Sequence, residues 1–563
     1  MDNQRIFVWA ALGLVLWLNY ITWQKDYAPP PPPVAATTTA APDKAEKSAQ
    51  SLPDLPSATP AAPDAPALPA NGATSPMETA QHKAPVIRVV TDVLDMDIST
   101  QGGELQRADL LKYPKVKNQP DNPVRLFNDD GKSPLYVARS GLRVADRSAE
   151  PTHLAMFQSA ATEYRLQPGQ QQLEVPLTWT DGQGVTVTKT YIFHPGSYRI
   201  ELKYDVNNQS ASDWKAASYV QLVRHYEHVE RSYFNVETYA YRGPEVYEGK
   251  VRKLNVEKAE DRDFKSTITG GWAAALQHHF VAAVVPPVTE AYDYQLSVDK
   301  DNDFILSYRG PLKTVAPNTT QTFKETLFVG PKLQEQLRAT GPDLQLTADY
   351  GKLTIIAQPL FWLLEKVHSF VRNWGLSIII VTFLIKLAFY KLTAASGRSM
   401  AKMRAVAPRI KAIQERYKDD REQLGRQMME IYKREKINPL AGCLPTLIQV
   451  PFFLAFYWVL LESVEMRQAP FFGWITDLST RDPYFILPIL MGGAMFAQFK
   501  LQPMPSTDPM QAKIFAFMPL IMSATMAWFP SGLVVYWLTN TLLSIAQQWR
   551  INKLVALEEK KLN

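Results

Sequence analysis

The sequence predicts a multidomain fold: a large antiparallel β-sandwich outside the membrane, joined to a polytopic α-helical membrane bundle of six spans. Three observations carry this. Residues 85–342 alternate apolar and polar side chains with little helical periodicity. Residues 355–550 instead contain several long apolar runs, which is why 46% hydrophobic content coexists with a mean hydropathy of only −0.18 over 563 residues. A further 18-residue apolar run, Ile6–Trp23, stands at the front.

That front run is about 27 Å long as a helix, enough for a hydrocarbon core of about 30 Å with little help. It is too long for a typical signal-peptide core, and no small-x-small cleavage site follows it. Residues 1–27 therefore read as an uncleaved signal anchor and first span, with Trp9, Trp17, Tyr20 and Trp23 suited to the interfaces. Residues 28–84 are dominated by Pro, Ala, Thr, Ser and Asp and open with Pro29–Pro33. With almost no large apolar side chains they cannot offset their ordering entropy, and they read as an extended tether.

Within 85–342, Tyr198, Ile200, Leu202, Tyr204 and Val206 alternate with Arg199, Glu201, Lys203 and Asp205, after which Asn207-Asn208 reads as a turn. Val185–Phe193 has the same pattern, and Leu296-x-Val298 and Phe304-x-Leu306 flank the turn-rich Asp299–Asp303. Aromatic residues in such a unit are strand core and cross-strand pairs more often than the lining of a sugar or peptide groove. His278-His279 would point to opposite faces of a strand, and His225-x-x-His228 lacks the Glu of a zincin helix. The single cysteine, Cys443, excludes an intramolecular disulfide and any multi-cysteine metal site. A net charge of +5 makes no case for nucleic acid, and no Walker loop, dinucleotide fingerprint or nucleophile elbow occurs. No catalytic residue, metal, cofactor or nucleotide is expected, and the chain does not read as an enzyme.

The membrane half begins with an amphipathic interfacial helix at 353–372, where Ile355, Ile356, Leu360, Phe361, Leu363 and Leu364 oppose Gln358, Glu365, Lys366, His368 and Arg372. The second span, 374–392, carries Lys386. A lysine there costs roughly 2.5–3.5 kcal/mol on insertion scales and is turned toward protein or water by default. Thr382, Lys386 and Tyr390 recur at i, i+4 and i+8 and would form one polar stripe, with Ile379, Ile380, Phe383, Leu384 and Leu387 facing elsewhere. Snorkelling to the span end at Lys391 is the bland alternative. A helical hairpin at 393–437 follows. Its core repeats as Met403, Val406, Ile410, Ile413 and Tyr417, then Leu424, Met428 and Ile431, with Pro408 a kink or helix start.

Four more spans are expected at 440–463, 484–501, 513–529 and 532–550, then a basic tail at 551–563. Several are short, which implies a thinned bilayer or completion by flanking residues. Gln449, Gln498, Ser523, Thr525, Thr539, Asn540 and Ser544 lie inside them as interhelical partners or cavity lining. Lys391–Ile437 holds 13 Lys/Arg against 6 Asp/Glu, whereas the 462–483 connection holds two Lys/Arg. The positive-inside rule then puts the hairpin and both termini in the cytoplasm and residues 24–354 outside.

Asn438-Pro439, Gly442-Cys443-Leu444-Pro445, Gln449-Val450-Pro451, Arg467-Gln468-Ala469-Pro470, Asp482-Pro483-Tyr484, Asp508-Pro509-Met510 and Phe529-Pro530-Ser531-Gly532 occur in order and at a characteristic spacing. In these motifs the chain resembles the YidC family of membrane protein insertases, and the anchor, variable linker and β-supersandwich extend the resemblance over nearly all of it. The resemblance implies a bacterial inner-membrane protein with a periplasmic β domain and a five-helix insertase core around a hydrophilic groove open to cytoplasm and lipid. It implies a basic groove residue that attracts an incoming chain. Lys386 stands where that family usually has Arg, keeping the charge but not the bidentate fork, which calls for a wet groove.

Thr382, Tyr390 and Gln449 would share the substrate face, and Tyr536 and Trp537 would touch the passing helix, although core packing explains these two equally well. Implied partners are nascent membrane proteins, the Sec translocon, and the ribosome or targeting factors at the hairpin and tail. A transporter or channel with Lys386 as an anion site is the rival reading, but internal repeats and paired broken helices are lacking. A membrane-anchored carbohydrate enzyme is a third, since the family's sandwich resembles sugar mutarotases; fold likeness does not carry activity.

Overall fold

A computed structural model of the chain describes residues 84–145, 149–230, 238, 240–417, 420–435, 444–501 and 509–562. The expected signal anchor and nearly all of the tether lie outside the described residues, as do Asn438–Cys443 and Asp508. The chain divides into two compact units. One, the β unit, holds the described residues up to Glu365 together with Leu454–Thr480, and the other holds Lys366–Phe453 and the described residues from Arg481 onward. That Leu454–Thr480 belongs with the strands was not expected.

Among the described residues two sheets, of 11 and 8 strands, build the β unit. The expected antiparallel sandwich needs one amendment, because Val86–Val90 runs parallel to Glu163–Arg165. Strand Arg199–Asn208 lies between Val185–Phe193 and Thr319–Pro331, so both of its edges are hydrogen-bonded. Its alternation follows from one face lying on the core: Ile200, Leu202, Tyr204 and Val206 are buried. Strand Val185–Phe193 has the expected bounds. The hairpin between Ala291–Val298 and Asp303–Arg309 closes where the Asp299 N–H donates to the Asp303 carbonyl at 3.0 Å and Asn302 takes φ 63°.

Two local expectations are corrected. The strand continues through Asn208, which is buried, rather than turning there. Asn208 Nδ2 donates at 2.9 Å to the carbonyls of both Ser212 and Val315, and Oδ1 accepts from the Ser210 N–H at 3.1 Å. The side-chain amide thus holds a reversal that begins one residue later. His278 and His279 lie outside any strand, so they do not alternate. Their rings stack at 3.8 Å, and both Nε2–H groups donate to the Leu461 carbonyl, at 3.0 and 3.1 Å.

Lys189 and Glu325 are among the ionisable groups buried in the β unit. Glu325 accepts from Ser218 Oγ and Tyr308 OH at 2.6 Å each and from Tyr292 OH at 3.3 Å. Burial pushes its pKa up from 4.5 to about 7, against the pull of those donors. The folded state then holds a proton that the unfolded chain releases near pH 4.5, so this group's contribution to stability falls as pH rises from 4.5 to about 7. Glu325→Gln removes that fall. Its melting temperature relative to wild type should rise between about pH 5 and about pH 7.5; an offset independent of pH would contradict this.

In the helical half, α1 (Thr354–Val371) covers the residues read as an amphipathic helix, burying Ala357, Leu360, Phe361 and Leu364 while Ile355 and Phe370 are exposed. Next, α2 (Trp374–Ala388) starts at an Asn373 cap that accepts from the Leu376 N–H at 2.9 Å. The hairpin is α3 (Tyr390–Arg416) and α4 (Arg421–Arg434), closed by Met403, Val406 and Ile410 against Met428, Ile431 and Tyr432. Pro408 lies inside α3 rather than at its start. Then come α5 (Leu444–Glu462), α6 (Ile486–Leu501), α7 (Pro509–Met526) and α8 (Ser531–Leu562), which continues through the expected tail.

Among the described residues no single helix is long and apolar enough to cross a membrane by itself. Trp374–Ala388 with Tyr390–Met403 has the length and composition as a pair bent by 66°.

Candidate substrate-binding face

Helix α8 is the element on which the candidate face is assembled, with α2, α3 and α6 packed against it. At the seam with α3 a Cβ on Gly397 would lie 2.7 Å from Ile551 Cδ1 and 2.9 Å from Gln548 Oε1, so those two side-chain ends occupy the space that the glycine leaves. Gln547 Nε2 donates to Thr393 Oγ1 at 2.7 Å on the same seam. These contacts set the α8 side chains opposite the end of α2.

Lys386 sits there, half-buried, and its Nζ donates to Ser544 Oγ at 2.8 Å. The Ser544 hydroxyl spends its proton on the Asn540 carbonyl, 2.7 Å away, so its oxygen faces the ammonium as an acceptor. Among the described residues no carboxylate lies within ion-pair distance of Lys386. A hydroxyl satisfies one of three N–H donors and neutralises nothing. The remaining donors need water or an incoming anion.

The polar stripe read from the sequence is broken. Thr382 is buried and donates to the Ile378 carbonyl at 2.6 Å, so its hydroxyl is used within its own helix. Helix α2 ends at Ala388, and Tyr390 opens α3 beyond the bend, so i+8 no longer falls on the same face. The break at Phe389 lies where the apolar run meets the basic segment, and the Phe389 ring packs edge-on against Phe452 with centroids 5.1 Å apart. Tyr390 is partly exposed, and its carbonyl accepts from Gln547 Nε2 at 3.4 Å.

Gln449 on α5 is half-buried, and its side chain has no hydrogen-bond partner among the described residues. Tyr536 is buried and Trp537 half-buried, and both meet Phe453 of α5. The Trp537 ring stands edge-on to it at 4.5 Å and the Tyr536 ring is stacked at 6.1 Å. Phe453 is the aromatic that sequence reasoning missed; its only signal was the Phe452-Phe453 pair inside an apolar run. Of the other in-span polar residues, Ser523 donates across helices to the Pro488 carbonyl at 2.7 Å, whereas Thr525 and Thr539 bond within their own helices.

Residues 86–363 match the family model described as YidC periplasmic domain, and residues 366–559 match that described as 60Kd inner membrane protein. A protein named membrane protein insertase YidC from Thioalkalivibrio sulfidiphilus is 45% identical over 573 aligned residues, covering 100% of both chains. The chain belongs to the YidC family. A second YidC insertase, from Methylococcus capsulatus, is 47% identical over 83% of this chain and 85% of its own. A crystal structure of an active YidC insertase with its first transmembrane domain resolved aligns over 83% of this chain and 94% of its own, at 18% identity and a TM-score of 0.37. In YidC terms the β unit contains the family's periplasmic domain, and the chain is a bacterial inner-membrane protein.

Proposed function

We propose that this YidC-family chain inserts and helps fold membrane proteins, with Lys386 as the counter-charge of a hydrophilic groove open to the cytoplasm and to lipid. The observation that carries the reading is the half-buried Lys386 ammonium, which has one serine hydroxyl and no carboxylate partner among the described residues. No bond is made or broken. A hydrophilic segment that must cross the bilayer gains water and a positive charge partway, and short, polar-dotted helices in a thinned membrane reduce the remaining distance. The substrate's apolar helix then leaves sideways by partitioning into lipid.

In this reading six spans place both termini and the α3–α4 hairpin in the cytoplasm and the β unit in the periplasm. The basic hairpin and tail meet the ribosome or targeting factors, and the Sec translocon is a partner for larger substrates. No nucleotide is consumed. Tyr390 and Gln449 line the route; Tyr536 and Trp537 flank it through the Phe453 cluster, and Thr382 supports α2 from inside.

Photocrosslinking tests the route. A stalled nascent chain with an acidic translocated segment should crosslink to probes at Gln449 and Tyr390 and not to one at Ser523, which is committed to helix packing. Equal labelling at all three positions would defeat the groove assignment.

A further inference from the structure

Elsewhere in the β unit, partly buried arginines are matched to carboxylates. Arg107 pairs with Asp95, Asp97 and Asp109, Arg139 with Glu104, Arg143 with Glu150 and Arg309 with Asp293. One cleft of about 610 Å³ breaks the pattern. Among the described residues its lining includes Lys115, Arg125, Arg224, Arg242 and Arg467 against a single acid, Glu227. Arg125 is held by Asp109 at 2.8 and 3.1 Å, and Arg467 donates to the Pro114 carbonyl at 3.0 Å. Arg224 and Arg242 have no carboxylate partner among the described residues, and Glu227 pairs with neither.

Arg224 is the more telling of the two. It leaves the end of strand Trp214–His225, lies with its guanidinium carbon 5.1 Å from the Tyr136 ring centre, and donates Nη1 to the Leu276 carbonyl at 2.5 Å. That uses one of five donors, and no other partner for it occurs among the described residues. Burial lowers its pKa and the neighbouring Arg242 charge adds to the effect, while the Glu227 charge opposes it, so the cleft holds two guanidiniums that repel each other beside one carboxylate that pairs with neither. Domains rarely bury cationic forks without an anion to receive them.

We propose that this cleft binds a small organic phosphate. Paired guanidiniums match phosphate oxygens in geometry, and a phosphate anion, monoester or diester, offsets charge that the cleft otherwise leaves unbalanced. The Tyr136 and Phe280 rings in the lining suit an organic portion attached to it. The same chemistry could be supplied by a soluble phosphate ester or by the head group of an anionic phospholipid.

The experiment uses the full chain in nanodiscs of neutral lipid. Glycerol phosphate is titrated by calorimetry, and in parallel discs doped with phosphatidylglycerol are read by native mass spectrometry for retained lipid. Saturable binding of either probe is expected, weakened at least tenfold by Arg242→Gln and, separately, by Lys115→Gln, with the melting temperature of each variant unchanged. Binding of glycerol phosphate supports a soluble ligand, and retention of phosphatidylglycerol alone supports a head group. Absence of saturable binding of both probes, wild-type affinity in both variants, or tighter binding of a tetraglutamate peptide than of either phosphate would overturn the proposal.

Discussion

Lys386→Glu should reduce insertion of substrates with acidic translocated segments by at least about tenfold, equivalent to about 1.4 kcal/mol, while Lys386→Arg stays within about twofold of wild type. The size follows from Coulomb's law in a wet site. Two unit charges about 4 Å apart interact by about 1 kcal/mol in bulk water and about 4 kcal/mol at an effective dielectric of about 20, and reversal replaces attraction with repulsion. Arginine keeps the charge and can still donate to Ser544. The Ser544 hydroxyl is a minor partner, so Ser544→Ala should change insertion by less than about twofold, water replacing it. Reconstituted vesicles and protease protection of the translocated segment provide the measurement, with a substrate whose translocated segment is uncharged as the comparison. Equal insertion of both substrates by Lys386→Glu and wild type would leave snorkelling as the explanation for this lysine.

How far the sequence was readable depended on the range of the contacts. Strand Val185–Phe193 and the buried face of Arg199–Asn208 were legible because period-two alternation is local and one face lies on a core. Lys386 stands out in the sequence because a charge inside an apolar run demands an explanation, and the structure gives it the Ser544 hydroxyl as a partner. The Thr382–Lys386–Tyr390 stripe was over-read, because helical spacing assumes an unbroken helix and nothing in the local composition announces a break at Phe389. Asn208 misled for the opposite reason: a turn-forming residue turned out to be buried, holding the turn through its amide.

Least readable was the placement of Leu454–Thr480 with the strands. It rests on His278 and His279 meeting the Leu461 carbonyl, Arg467 and Gln468 reaching the Pro114 carbonyl, and Lys117 reaching the Gln468 carbonyl at 2.9 Å. These partners are between 182 and 354 residues apart, so no local window of sequence contains both.

Lys189→Met should destabilise the β unit by about 2–4 kcal/mol, because several buried carbonyls lose their donor at once and each such loss costs roughly 1–3 kcal/mol, offset in part by a better-packed hydrocarbon. Lys189 occupies the inward parity of its strand, beside Val187 and Tyr191, and is fully buried. Its Nζ donates to the carbonyls of Gly102 at 2.7 Å, Gly103 at 3.2 Å and Ser140 at 3.3 Å, with Ser140 Oγ at 2.8 Å. The rings of Tyr191 and Tyr204 lie 5.2 and 5.6 Å away. Gly102 and Gly103 make the arrangement possible. Both have positive φ, and a Cβ on Gly103 would lie 3.0 Å from the ammonium.

Burial still pushes the Lys189 pKa down from 10.5 to about 7, although the charge of Glu104 opposes it. Below about 7 both folded and unfolded chains are protonated and the term is flat; between 7 and 10.5 the unfolded chain binds more protons, so stability rises with pH. Methionine cannot titrate. The deficit of Lys189→Met relative to wild type should therefore widen from about pH 7 to about pH 9.5 in thermal unfolding. A deficit that stays constant over that range would mean the lysine remains charged throughout, and a variant as stable as wild type would mean the three carbonyls never depended on it.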